Sequence, residues 1–368
     1  MSDEWKALRV IHSKGGVRIV NEYDPTVKII PRTLNEKTAT FETPTYGALF
    51  DRCEKVGLPV LGVEFFTYAG HFNGEDIPEW RTFYTSRNNV WGNEEGAQLW
   101  SNIGTGAYKE KNGRLWDVGS RISHQLRVCS RRLKELSDSY HSQLCSVVGK
   151  QDFATNKRFM NGYTWLCYLS VQSFLMDICI LRDYLAEYAA NFVFEVSNDS
   201  QKSSITTLSG LRKYVLRNLN GEDAIAEELN EITEGDGWLK MLGAYRDLIV
   251  HSAPLVQAER RLFAIIKTIE IPGGQLPCIS CPMPKNPQEI FVSRANGSMF
   301  ENFEEQFNRY TGIGEGEADY IDGLEYCHKA LGMISDLANK LALRSPVKPQ
   351  MMVFDSTNII GEVKVSRA

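Results

Sequence analysis

The spacing of apolar residues along the chain changes twice. Up to about residue 115 they come in short alternating runs broken by Gly, Pro and Asn, the pattern of strands and turns. "ALRVIHSKGGVRIV" alternates around Gly15-Gly16 and predicts a hairpin, and "TVKIIPRT" and "TATFET" are strand-type runs. "YGALFDRCEKVGL" has helical spacing and stops at Gly57. Trp80, Trp91, Trp100 and Trp116 fall among Gly and Asn. Residues 1–116 are therefore expected to form a mixed α/β module.

At Asp117 the period lengthens to three and four. Ile122, Leu126, Cys129, Leu133, Leu136, Tyr140, Leu144 and Val147 make one stripe of a long helix. A second long helix, Asn161 to Phe194, is apolar on more of its sides and so more buried. "TTLSGLRKYVLRNL" and "EDAIAEELNEIT" predict two shorter helices. "GDGWLKMLGAYRDLIVHS" predicts another, which must end near Ala253 because Pro254 pushes its predecessor out of the α region. Beyond it "RRLFAIIKTIEI" is β-type, and 272–287 is expected to be a Pro- and Cys-containing loop. A last helix is expected from about Asp319 to Leu343, then an extended arm or hairpin over 346–368. The expected fold is α+β and mainly α: an antiparallel helical bundle over 117–345, bracketed by β-rich pieces.

Composition narrows the class. With 43% hydrophobic and 24% charged residues the chain can build an ordinary globular core. The net charge of −5 means that any nucleic-acid contact needs a local basic patch. The most apolar run, Tyr163 to Ile180, is interrupted by Ser170, Gln172, Ser173 and Asp177, so a core helix is expected there rather than a membrane span. The N-terminus lacks the apolar run of a signal peptide, and most of the eight cysteines sit in apolar helical patterns; free thiols in the cytoplasm are expected. Cys278 and Cys281 form a single CxxC with no second pair at finger-like distance, so neither a metal nor a cofactor is expected. The alternating glycines of "TGIGEGEAD" lack a preceding strand and are expected to be a loop.

The strongest candidate chemistry lies in "AYRDLIVHSAPL". Arg246 and His251 are five residues apart, about 140° around an ideal helix. They can converge if the helix loosens near Ala253, or if two copies of the chain meet across a twofold axis. A His near neutral pH can take the proton from a ribose 2′-OH and return it to the leaving group. An Arg offers fixed donors for charge developing on the phosphoryl oxygens. The competing reading is an Arg held by an acidic neighbour and a His favoured at a helix C-terminus. Arg127, Arg131 and Arg132 belong to a basic helical run that could meet an RNA backbone. A solvated face fits that run better, since Glu135 and Asp138 follow at once. For Asp177 and Arg182 a structural ion pair is the expectation.

"AYRDLIVHS", preceded by two long helices and two short ones, resembles the HEPN superfamily, as does "VQSFLMDICILRDYLAEYAA" as a second long helix. The resemblance covers roughly residues 118 to 255 and extends plausibly to the helix ending at Leu343. It implies a homodimer with a composite, metal-independent ribonuclease site built from Arg246 and His251, with Asp247 as the polar supporting residue. It implies an RNA substrate and, for many members, a toxin or anti-phage role with an antitoxin or activator protein. Other members lack nuclease activity and serve as interaction or nucleotide-binding modules.

Overall fold

A computed structural model describes residues 8–21, 26–34, 39–43, 45–67, 69–84, 90–148, 154–194, 205–214, 223–251, 263–272, 274–301 and 320–353. The N-terminal hairpin is present: β1 (Leu8–Ser13) and β2 (Arg18–Asn21) pair antiparallel around Gly15-Gly16. β3 (Thr26–Ile30) and β4 (Thr40–Glu42) follow, then helix α1 (Tyr46–Lys55), β5 (Val60–Phe66), the short α2 (Ala69–Asn73) and β6 (Glu79–Thr82). Gly57 ends α1 in the left-handed region, as its position suggested. The six strands form one antiparallel sheet in the order β4-β3-β2-β1-β5-β6.

Strand alternation divides the sheet into two unlike faces. Ile11, Ile19, Ile29 and Val63 share one face through the pairings Ile11↔Ile19, Ile19↔Ile29 and Ile11↔Val63, and all four are core residues. The opposite face carries His12, Arg18, Glu64 and Trp80, through His12↔Arg18 and Glu64↔Trp80. Gly62 lies under the Trp80 ring; a Cβ there would stand 2.2 Å from an indole carbon. The indole nitrogen donates to the Ser130 carbonyl at 3.0 Å, which joins the sheet to the long helix above it.

Four long helices make the bundle: α3 (Gly92–Lys109), α4 (Gly113–Val148), α5 (Gly162–Tyr188, with a π-type turn to Val193) and, further along the chain, the last helix. The first six of the elements between α5 and that helix are α6 (Leu208–Tyr214), α7 (Ala224–Thr233), α8 (Trp238–His251), β8 (Ala264–Ile271), β9 (Gly274–Ser280) and β10 (Pro282–Pro284). Next come α9 (Pro287–Ala295), β11 (Tyr320–Asp322) and α10 (Gly323–Ala342). The α4 stripe from Ile122 to Val147 is buried at every position named above. Asn161 and Thr164 form a reciprocal capping box at the start of α5. Gly162–Val193 is long and apolar enough to cross a membrane, but half of its most apolar window is buried against the bundle.

The fold is therefore α+β and mainly α, with two differences from expectation. The boundary at 116/117 falls inside α4, and α3 already belongs to the bundle: Trp100 is fully buried and its indole donates to the Ala338 carbonyl of α10. The region 272–287 is not a loop. A strand β7 (Arg158–Phe159) pairs with β8, and β8 pairs with β9 from Ile265↔Ser280 to Ile271↔Gly274. Pro277 is tolerated because β9 is the edge of that three-stranded sheet, where one side of the strand needs no N–H donor. β10 then pairs with β11. Residues 346–353 hold no regular element, while "TGIGEGEAD" and 354–368 lie outside the described residues. The β-rich pieces do meet, since a Cβ on Gly15 would collide with Cys278 of β9.

Candidate functional site

Helix α8 is described as far as His251, and the stop expected near Ala253 and Pro254 lies outside the described residues. The helix is anchored by Leu239, Leu242, Tyr245, Leu248 and Ile249, all buried, and the Tyr245 hydroxyl donates to the Pro284 carbonyl at 2.5 Å. His251 is exposed and, among the described residues, has no hydrogen-bond partner. Arg246 keeps 36% of its side chain exposed and donates to Asp247 at 3.1 Å. It lies on the α5 side of α8. There burial pushes the Cys179 thiol up to about 11, while the charges of Arg182 and Arg246 pull it down. Arg182 crosses Gly243, where a Cβ would stand 3.1 Å from its guanidinium nitrogen. The local group is thus Arg182, Asp183, Arg246 and Asp247, two cations and two anions, with Arg182 bonded to Asp183 at 3.0 Å.

The helix does not loosen before its last residue, so Arg246 and His251 remain about 140° apart within one chain. His251 shares its azimuth with Lys240 and Ala244. Both of these line a cleft of about 510 Å³ between α8 and α9, together with Asp236, Met241, Gln288, Glu289 and Val292. From Ala244 to His251 is seven residues, or about 10 Å along the helix. The cleft therefore opens along the flank that carries the His and away from the Arg.

The other sequence candidates are mostly tied up. Arg132 pairs with Asp177 and Glu135, both at 2.8 Å, and Arg127 donates to Ser123 at 3.0 Å. Arg131 is exposed. Of these three, Arg132 is neutralised by carboxylates, while Arg127 and Arg131 stay exposed on the helix face. Asp177 and Arg182 do not pair with each other; Asp177 also accepts from Gln125. Cys278 and Cys281 are buried apart from each other's function: Cys278 backs Gly15, whereas the Cys281 thiol points at Gln143, which also accepts from Cys167 at 2.9 Å.

Sequence reasoning missed a charged cluster between the sheet and α4. His12 Nε2 is 2.7 Å from Glu64, and its Nδ1 is 3.1 Å from the Ser137 hydroxyl. Arg18 bonds Asp138 at 2.6 Å and stands 3.9 Å from Glu64; Lys134 reaches Asp138 at 2.9 Å and Glu64 at 3.2 Å. His12, Glu64 and Asp138 could between them offer a cation three ligand atoms. Two cationic side chains already neutralise the two carboxylates, so a metal would meet Arg18 and Lys134 at once; the donor set does not fit one. Burial, then Arg18, holds His12 well below its ordinary value, so the ring is neutral. Burial works to raise Asp138, but the charges of Arg18 and Lys134 outweigh it and hold the carboxyl low. No motif could have revealed this cluster, because its members are far apart in the chain.

A second missed centre is Asp322. One of its oxygens accepts from the Leu324 and Glu325 amides, capping α10, and the other from Ser280, the Cys281 amide and Tyr140. Burial pushes this carboxyl up to about 6 against those hydrogen bonds. It ties α10, the β9–β10 corner and α4 together. No family model, curated protein or solved structure matches the chain.

Proposed function

We propose that the chain is a metal-independent endoribonuclease of the HEPN kind, acting as a cytoplasmic homodimer. The observation that carries this reading is the accessible end of α8, with His251 exposed in its last position and Arg246 half-exposed beside Asp247. Neutral His251 takes the proton of a ribose 2′-OH; the oxygen attacks phosphorus, the bond to the 5′-oxygen breaks, and a protonated imidazole returns a proton to that oxygen. The products are a 2′,3′-cyclic phosphate and a 5′-hydroxyl. Arg246 stabilises the charge on the non-bridging oxygens, and Asp247 steadies its guanidinium.

Two copies are needed because one straight helix keeps the pair on different flanks. An apolar stripe of α5 offers a surface for the second copy: Tyr163, Leu166, Leu169 and Ile180 are each about 40–50% exposed at helical spacing. A toxin or anti-phage role, with an antitoxin or activator as further partner, belongs to the same reading. The test is cleavage of single-stranded RNA in EDTA. His251→Ala and Arg246→Ala should each abolish it while leaving the melting temperature unchanged. If both variants cleave like the parent, the reading fails.

One observation favours a second reading, a non-catalytic module that binds a nucleotide or a partner protein. The α8–α9 cleft has the size of a small-molecule site and mixes Met241 and Val292 with Lys240, Asp236 and Glu289. Intact RNA in EDTA, together with a melting temperature raised by a nucleotide and not in an Ala244→Trp variant, would favour it.

A further inference from the structure

The turn between α3 and α4 carries the most exposed aromatic pair among the described residues. Tyr108 is 71% and Trp116 47% exposed, their ring centroids 6.4 Å apart and tilted by 55°. The two helices cross closely at glycines: a Cβ on Gly119 would stand 3.5 Å from the Trp100 carbonyl, and one on Gly104 3.3 Å from the Ser120 hydroxyl. That close crossing sets the last turn of α3 beside the first turn of α4 and brings the two rings together.

The turn itself is rigid. The Lys111 amide donates to the Tyr108 carbonyl at 3.0 Å, and the Asn112 amide to the Ala107 carbonyl at 2.9 Å. The Asn112 side chain accepts from the Leu115 amide at 3.1 Å and so caps α4. Lys111 has φ +59°, a left-handed backbone that glycine or asparagine adopts with less strain. A lysine there keeps a cation at the apex at the expense of local backbone comfort.

Charge completes the surface. Lys109, Lys111 and Arg114 are exposed around the rings, with Glu110 the one carboxylate between them. Asp117 is occupied by Arg121 at 2.9 Å. In a chain of net charge −5 this is a local cationic patch with two rings at its centre.

We propose that this turn is a landing site for an unpaired nucleic-acid strand, with Tyr108 and Trp116 stacking on bases and Lys109, Lys111 and Arg114 meeting phosphates. Rings bind any base through its π face, and the cations track the backbone, which is how sequence-tolerant single-strand sites work. A duplex, whose bases are already stacked, gains nothing from the rings. A second copy of the chain fits poorly, because it would set three cations against three cations. The choice of RNA over DNA rests on the ribonuclease reading; the platform does not.

The test uses the full chain carrying His251→Ala, so that no strand is consumed, and measures fluorescence anisotropy with labelled oligo-U, oligo-dT and a duplex. Tyr108→Ala with Trp116→Ala should weaken oligo-U binding at least about tenfold, the loss expected when a stacked base goes unsupported. Lys109→Gln with Lys111→Gln should flatten the dependence of log affinity on log salt by about 1.4, roughly 0.7 for each phosphate contact on a single strand. Lys111→Gly separates binding from folding, since it should raise stability and still weaken binding. Unchanged oligo-U affinity in the ring variant, no binding by the parent, or equal binding of the duplex overturns the platform. So does a ring variant that turns a dimer into a monomer, which would make the rings a self-association face. Ring-dependent binding without RNA cleavage by the native chain leaves the platform standing and removes the nuclease. Cleavage with ring-independent binding does the reverse.

Discussion

Two regions of this molecule bring an Arg, a His and an Asp into one neighbourhood, and they differ in nearly everything else. Between the sheet and α4, Arg18, His12 and Asp138 are joined by Glu64 and Lys134, and each has a partner on another element. At the end of α8, Arg246 holds the adjacent Asp247, and His251 faces solvent. In the first region charges cancel within a few ångströms and the side chains have no freedom to meet a substrate. In the second, cation and imidazole are accessible. The residue types are shared; burial and pairing decide which set can do chemistry and which can only lock two elements together.

The sharpest way to break that comparison is to remove one cation from each region. Arg18→Met leaves the buried Glu64 and the part-exposed Asp138 with Lys134 as their remaining cation. Losing the charged hydrogen bonds of Arg18 costs about 1.5–3 kcal/mol, which urea denaturation would read directly. A loss under about 1 kcal/mol would show that the cluster is wetter and looser than its distances imply.

Acid should separate the regions next. Burial lowers the values of His12 and His328 in the folded protein, and burial with Arg18 lowers that of His141. Their unfolded values are about 6.5. Below that pH the unfolded chain takes up protons that the folded chain refuses, so stability present at neutral pH is lost as pH falls. Each such His contributes a slope of up to about 1.4 kcal/mol per pH unit. Asp322 acts in the opposite sense. Its folded value of about 6 exceeds the unfolded one, so its contribution is present at low pH and is lost as pH rises through about 6. The comparison is therefore cleanest as a difference. His12→Gln should lose one proton's worth of slope below about pH 6.5 relative to the parent.

What the sequence disclosed follows the same division between local and long-range. The α4 stripe and the all-round apolar α5 are local patterns, and both elements stand where periodicity put them. Helix α3 was hidden by its own glycines, which lower helix propensity. Yet Gly96 and Gly106 are required by packing: a Cβ would stand 2.4 Å from the Asn339 side chain in one case and 2.5 Å from the Lys348 carbonyl in the other. The edge strand β9 was hidden by Pro277, whose cost depends on which strand lies beside it. For the candidate site, helix α8 and the places of Arg246 and His251 on it could be read from the chain. The cleft beside it could not, because its other wall, α9, is some forty residues further on. The His12 cluster joins residues 52 and 125 apart in sequence, and no spacing rule reaches that far.

A smaller effect would sharpen the comparison at the dimer face. Leu166→Asp with Leu169→Asp, both on the exposed stripe of α5, should change monomer stability by no more than about 0.5 kcal/mol each. In sedimentation the parent should run as a dimer and this variant as a monomer that no longer cleaves RNA. A dimer that survives the substitution would move the contact elsewhere.

The smallest expected effect carries the most weight for the site. Arg246 and Asp247 are both more than a third exposed, and such a pair contributes about 0–1 kcal/mol. Arg246→Met should therefore unfold within about 1 kcal/mol of the parent, and the coupling between Arg246→Met and Asp247→Asn in a double-mutant cycle should fall in the same range. A stability loss approaching that of Arg18→Met would mean that Arg246 is committed to holding α8 on α5. A guanidinium whose removal unfolds the protein is not one held ready for a phosphate. Near-neutral stability combined with loss of cleavage is the result that separates a working arginine from a structural one.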